Sequence, residues 1–504
     1  MQKRAAFDTA GGQVLVLSAF TLLVKLVGFL KQAVIAAYFG AGGVTDVFFI
    51  ASDFFADLSA IFFSPLAIVF LTAYDLKTAR QGRAYADAFA VRTLLAFSLL
   101  SAAAAAVFAC FAGPAARLLG FGFPEAQTLA LARLLRLLSP LIVFFCAAAL
   151  LTALLQAQKH FLPAQGRGLI RSAAVMASVW LLFNRLGAGA LTAGMLAALL
   201  LETAYLCWTA RKSLAGISSG GSWNSSEHKR LMAAALPLVL SYAAAELSHI
   251  VDKAIASRLQ EGAVSALGYA QVLQGFAAAL LVSNVGAVTF SHFSEKSAHS
   301  DREGLLLSLC RASELLILLL LPVSIIGAAA SPYLVRLVYA RGSFDAAALT
   351  ATAQAFSGYA AGLIGLSLQT VFLRGLYAIG NTRLPLRIGL WSILLNVSLS
   401  WVLSELLGVG GIALASTAAY FLGAALSSAV LQGRRVLPDV KAVIAAGLVC
   451  GGCVAVLSRL PVRSALWMCL LLGSLGLIGY FLTLLLFKEP NALSLLRLLR
   501  GEKG

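Results

Sequence analysis

The sequence predicts an all-α polytopic membrane protein with about fourteen transmembrane helices. They form two pseudo-symmetric six-helix bundles around a central cleft, plus two C-terminal helices. Three observations point there: an apolar composition with recurring membrane-length runs, cations concentrated on alternate connections, and an internal duplication. Of 504 residues, 60% are hydrophobic and 12% are charged, with a mean hydropathy of +0.91. Soluble domains carry about 25% charged residues. No soluble segment is long enough to house a separate active site, so an enzyme is not expected.

The apolar runs, each long enough for hydrocarbon, fall near 12–40, 44–75, 88–112, 127–155, 166–184, 187–210, 231–257, 262–292, 304–328, 346–378, 385–404, 409–432, 439–458 and 464–487. The first follows a basic start, as a signal peptide would. It continues past residue 35 without a small-residue cleavage pattern, so it reads as a retained helix. With a cytoplasmic N-terminus, 26 Lys and Arg lie on inside segments and 7 on outside ones. That bias follows the positive-inside rule and places both termini in the cytoplasm. The net charge of +17 therefore reports topology and does not imply nucleic acid. The seven cysteines lie in apolar segments, and Cys450-Gly-Gly-Cys453 reads as helix packing because no βαβ context accompanies it.

The longest polar connection, at 210–230, is rich in Ser and Gly and reads as a flexible linker. The expected organisation is an N-terminal six-helix bundle (1–211), a cytoplasmic linker (212–230), a C-terminal six-helix bundle (231–433), and two further helices with a tail (434–504). The bundles repeat. "IAAYFGAGGVTDVFFIA" at 35–51 aligns without gaps to "IASRLQEGAVSALGYAQ" at 255–271, an offset of 220; "LPAQGRGLI" at 162–170 lies against "LPLRIGLWS" at 384–392, an offset of 222. Six spans is an even number, so the repeats are parallel, related by an axis along the membrane normal. Two such bundles around a cleft suit alternating access.

Within this apolar frame, residues 25–57 carry Lys25, Lys31, Asp46, Asp53 and Asp57. Charges at membrane depth cost about 2.5–3.5 kcal/mol each and should pair or line a watery cavity. Counted from the turn at Gly42, Lys31 and Asp53 are each 11 residues away, and Lys25 and Asp57 are 17 and 15 away. They should lie roughly level on antiparallel helices. Asp53 and Asp57 share one helix face. In the second repeat, Glu246 and Asp252 stand beside the positions equivalent to the two lysines. Two readings stay open: an ion-pair set joining the halves, or a cleft whose lysines take phosphate and whose carboxylates couple ions or gate. His249 reads equally as a protonation site or a packing residue. No nucleotide-binding loop is present, no cofactor or metal is expected, and any coupling must come from a cation gradient or the membrane potential.

Two motifs carry a family resemblance. "VGFLKQAVIAAYFGAGGVTDVFFIA" resembles the first-helix signature of the MurJ (mouse virulence factor) family of lipid II flippases, within the multidrug/oligosaccharidyl-lipid/polysaccharide (MOP) exporter superfamily. Residues 337–389 resemble that family's tenth span and following loop, including Tyr377, Ala378, Thr382 and Pro385. The resemblance implies a bacterial inner-membrane protein that carries an undecaprenyl-pyrophosphate-linked saccharide from the cytoplasmic to the outer leaflet. It implies that Lys25 and Lys31, standing where the family typically has arginines, meet the pyrophosphate, and that Asp46 matches a family aspartate. Ser59 stands where an arginine is usual, and Gln271 and Val272 replace an acidic–arginine pair. A lipid-linked exopolysaccharide or O-antigen-type precursor therefore stays open beside lipid II, with a glycan polymerase or synthase as a further partner. The alternative function is a cation-coupled exporter of small amphipathic compounds, worked by Asp53, Asp57, Glu246 and Asp252.

Overall fold

The computed structural model describes residues 10–215, 225–279, 302–379, 383–431, 436, 441–460, 462 and 464–487. Among them all regular structure is helical, in seventeen segments. In chain order these are α1 Ala10–Phe39, α2 Gly43–Gln81, α3 Arg83–Leu119, α4 Glu125–Leu138, α5 Leu141–Ala157, α6 Phe161–Leu186, α7 Gly189–Leu214 and α8 Ser225–Ala256. Then come α9 (263–279), α10 Arg302–Ala329, α11 Ser331–Tyr339, α12 Ala346–Ala361, α13 Leu363–Ala378, α14 Arg383–Leu407, α15 Val409–Val430, α16 Lys441–Leu457 and α17 Ala465–Leu486.

Ten of these helices are long and apolar enough to cross a membrane, or twelve if each of two bent pairs counts as one span. With each bent pair taken as one span, the two expected spans outside this count of the described residues are those at 262–292 and 439–458. The fourth expected span is α4 and α5, bent by 45° where Ser139 and Pro140 interrupt the helix, and the tenth is α12 and α13, bent by 45° at Gly362. Helix α16 has 17 described residues, against the roughly 20 that hydrocarbon requires. The expected span at 262–292 runs beyond the described residues after 279. Conversely, α2 extends to 39 residues, about 58 Å at 1.5 Å per residue. Its polar last turns carry the helix past the apolar run that predicts it.

The chain divides into two compact units, 1–265 and 266–504. In the first, α2 packs along α4, α5 and α8, α1 lies against α6, and α6 pairs with α7. Phe70, Tyr74, Phe89, Leu151 and Leu231 fill its core. The chain between α3 and α4 docks on the end of α8, where the Gly122 N–H donates to Ser257 Oγ at 3.1 Å. A Cβ at Gly122 would overlap the Ser257–Arg258 backbone. Gly122→Val is therefore expected to destabilise the protein by about 1–3 kcal/mol, the usual cost of overpacking, read as a lowered thermal midpoint in detergent. An unchanged midpoint would show that this approach can relax.

In the second unit, α10 packs against α12, α13, α16 and α17, and α14 pairs with α15. Asp345 caps α12 by accepting the Ala348 N–H at 2.8 Å. Thr417 Oγ1 donates to the Gly358 carbonyl at 2.8 Å and ties α15 to α12. The last two helices are built into this unit. Cys450, Met468, Leu472 and Tyr480 form one core with Leu318 of α10, and the Tyr480 hydroxyl donates to the Leu318 carbonyl at 2.9 Å. Cys450 and Cys453 are free thiols, consistent with their packing role.

Candidate functional site

The two turns aligned by the duplication meet face to face. Thr45 and Ser265, 220 residues apart, are in hydrogen-bond contact at 2.8 Å through their hydroxyls. Asp46, only 1% exposed, accepts the Gly262 N–H at Oδ2 (2.7 Å) and the Ser265 N–H and hydroxyl at Oδ1 (2.7 and 2.5 Å). A buried carboxylate is tolerated because these donors and the start of α9 offset its charge. Gly262 has φ +90°, and a Cβ there would lie 2.6 Å from the Ala41 carbonyl oxygen, so the turn needs glycine. Glu261 adds a contact by accepting the Gly43 N–H at 2.6 Å.

About two to three turns further along α2, the carboxylates meet α8. Lys253 Nζ donates to Asp53 Oδ2 at 2.8 Å, with the lysine side chain 8% exposed and the aspartate 34%. Asp57 is partly buried, and its Oδ2 makes no hydrogen bond among the described residues. It lies within electrostatic reach of Lys253, Asp53 and Glu246. His249, one turn before Lys253, is coupled to Lys253 and Asp53. Asp252 is buried beside Lys253. The expected company of Asp53, Asp57, Glu246, His249 and Asp252 is thus present. Its organising cation is Lys253, however, and Asp53 takes its ion pair there instead of with Lys31. Mutual proximity of Asp53, Lys253 and Asp57 satisfies the requirement that intramembrane charges find partners.

The lysines of α1 stand differently. Lys25 is exposed and Lys31 partly buried. Lys31 is coupled to Asp53 and also to Arg171 of α6. Arg171 donates through Nε and Nη2 to the two oxygens of Glu202 at 2.6 and 2.8 Å. Arg167, one turn earlier, reaches the same carboxylate at 3.4 Å. Glu202 is fully buried. The positive-inside count places both arginines with a cytoplasmic connection, whereas they sit within α6. The signal that could have located them is Glu202, the lone acid of apolar α7, opposite cations spaced i, i+4.

Other residues marked by the resemblance have ordinary roles. The Gln271 amide donates to the Tyr359 hydroxyl at 3.1 Å and packs α9 against α12. Ser59 is partly buried on α2. A 460 Å³ cavity lies between α2, α3 and α8, lined by Phe55, Phe62, Phe97, Phe108 and Met232 among others. Its lining carries no charge, so it offers nothing to a phosphate. No cluster of metal-ligating side chains occurs among the described residues.

A family model described as lipid II flippase MurJ matches residues 35–460. The chain is 28% identical over 434 residues to lipid II flippase MurJ of Burkholderia cenocepacia, covering 83% of this chain and 82% of that protein. It is 24% identical over 438 residues to the probable lipid II flippase MurJ of Rickettsia prowazekii, covering 83% and 84%. A solved lipid II flippase MurJ in an inward closed conformation matches with TM-score 0.81 and 21% identity, over 94% of this chain and 98% of that one. An inward-facing multidrug resistance transporter of the MATE family, in the MOP superfamily, matches with TM-score 0.69 and 13% identity, over 83% and 98%. These structural likenesses speak for the fold.

Proposed function

Because the chain belongs to the lipid II flippase MurJ family, we propose that it moves an undecaprenyl-pyrophosphate-linked saccharide, lipid II or a related glycan precursor, from the cytoplasmic to the outer leaflet. The family match over residues 35–460 carries this reading. The protein is then a carrier and not an enzyme, seated in the bacterial cytoplasmic membrane with both termini inside. Alternating access is the mechanism. The Asp46 contact between the duplicated turns closes the outer side, and Lys25 and Lys31 receive the pyrophosphate. The Asp53–Lys253–Asp57 set, with Glu246, His249 and Asp252, acts in gating or in coupling to a cation gradient or the membrane potential. A polymerase or synthase consumes the flipped precursor. The exporter reading rests on likeness of fold to the MATE transporter alone, and fold does not fix cargo.

The test is complementation in a bacterium whose own lipid II flippase can be depleted, with membrane abundance measured in parallel. Growth is the expected result. Lysis at normal abundance would exclude lipid II as cargo and favour another lipid-linked glycan. In the same assay, Lys31→Ala is expected to lose at least 10-fold in plating efficiency, as an intramembrane cation meeting the cargo should. Wild-type growth of that variant would remove Lys31 from the binding role.

A further inference from the structure

Helices α1 and α6 run parallel and in step. Val24 lies against Gly168, where a Cβ would come within 2.6 Å of Val24 Cγ1, and Gly28 faces Ser172. Each increment of four on α1 matches four on α6. Arg171 precedes Ser172 by one residue and Lys31 follows Gly28 by three. At 1.5 Å per residue the two residues therefore differ by about 6 Å in level along the axis, and Arg171 lies within electrostatic reach of Lys31.

Like charges this close in a membrane domain need a reason. Glu202 neutralises one guanidinium, yet Arg167 and Arg171 both turn to it. With Lys31 the group holds three cations, against Glu202 and, within electrostatic reach of Lys31, an Asp53 that it shares with Lys253. Asp53 could have balanced Lys31, but it is engaged by Lys253 at 2.8 Å. The geometry leaves donors available. The Glu202 contact uses the Nε/Nη2 edge of Arg171, so the Nη1/Nη2 end remains as a second fork. That side chain is 29% exposed, and that of Arg167 36%. Phe145 lies 5.4 Å from the Arg171 guanidinium carbon and helps to fix its plane. A planar fork held on one edge suits a phosphate on the other.

We infer that Arg171 and Arg167 of α6, held by the positioning residue Glu202, join Lys31 to bind the pyrophosphate of the cargo. This rests on the flippase reading above. It also accounts for a departure on α2 and α9: with Ser59, Gln271 and Val272 in place of the usual charges, guanidinium chemistry comes from α6 instead.

The test measures equilibrium binding of radiolabelled farnesyl pyrophosphate and of farnesol to the purified full-length protein in lipid nanodiscs. Arg171→Gln alone leaves the buried Glu202 only the 3.4 Å contact of Arg167, so the double variant Arg171→Gln/Glu202→Gln, which removes both charges, is measured beside it. The wild type is expected to prefer the pyrophosphate. The double variant is expected to lose about 10-fold or more of that affinity, with farnesol binding and thermal midpoint unchanged. If the double variant binds farnesyl pyrophosphate as tightly as the wild type while Lys31→Gln binds it weakly, the arginines form an internal ion pair only. The inference then fails and the flippase reading stands. If the wild type shows no preference for the pyrophosphate over farnesol, the flippase reading loses its chemical basis and the inference falls with it.

Discussion

Asp46→Ala is expected to abolish complementation and to lower stability by about 3–5 kcal/mol. The substitution strands the Gly262 and Ser265 N–H groups in a site that is closed to water and leaves the Ser265 hydroxyl only its contact with Thr45. Each hydrogen bond to a charged acceptor contributes about 1.5–3 kcal/mol, and neighbouring losses do not add fully. Asp46→Asn keeps one carbonyl acceptor and its shape, so a smaller loss of about 1–2 kcal/mol is expected. Thr45→Ala removes the hydroxyl contact with Ser265 and the acceptor of the Gly42 N–H at the start of α2, and should cost about 1–2 kcal/mol. The thermal midpoint in detergent and growth under depletion together check the series. Wild-type growth of Asp46→Ala at normal abundance would show that the turn-to-turn contact is dispensable for transport.

Lys253→Met is expected to have the second-largest effect. It leaves Asp53 and Asp57 facing Glu246 with their shared cation gone. Removing one partner of a fully buried pair costs about 3–5 kcal/mol. Asp53 keeps a third of its side chain exposed, which brings the expected loss down to about 2–3 kcal/mol. The triple variant Lys253→Met/Asp53→Asn/Asp57→Asn has no stranded charge and should recover to within about 1 kcal/mol of the wild type. A Lys253→Met protein as stable as the wild type would mean that the carboxylates find protons or water instead. If the triple variant regains stability without growth, the cluster serves transport as well as folding.

The fold was legible because hydropathy and cation placement are properties of long segments, which errors of a few residues do not disturb. The duplication was legible for the same reason, and the Thr45–Ser265 contact places equivalent positions side by side. Hydropathy does not show where a span bends. Pro140 and Gly362 bend segments that hydropathy reads as single runs. Asp53 and Asp57 were legible as intramembrane charges in need of partners, yet the pairing of Asp53 with Lys253 was not. Equal counts from Gly42 place Lys31 level with Asp53, but depth does not fix azimuth, and the face of α8 that carries Lys253 lies against α2. Arg167 and Arg171 were missed because proximity to a connection resembles topology-setting charge. Only the facing Glu202, distant by 31 residues from Arg171, reveals their role.

Helices α2 and α8 run antiparallel and are fastened at three heights: Asp46 to the turn after α8, Asp53 to Lys253, and Lys77 to Glu227 at 2.8 Å. A slide of one helix along the other by a single turn, about 5.4 Å, would undo all three fasteners at once. A swing about the Asp46 end loads them unequally. Lys77 is 31 residues from Asp46 and Asp53 only 7, about 46 and 10 Å along the axis. A tilt of about 10° would carry Lys77 some 8 Å from its partner while moving Asp53 less than about 2 Å. The pair therefore behaves as a lever with its fulcrum at the buried aspartate, and it parts first at the far end.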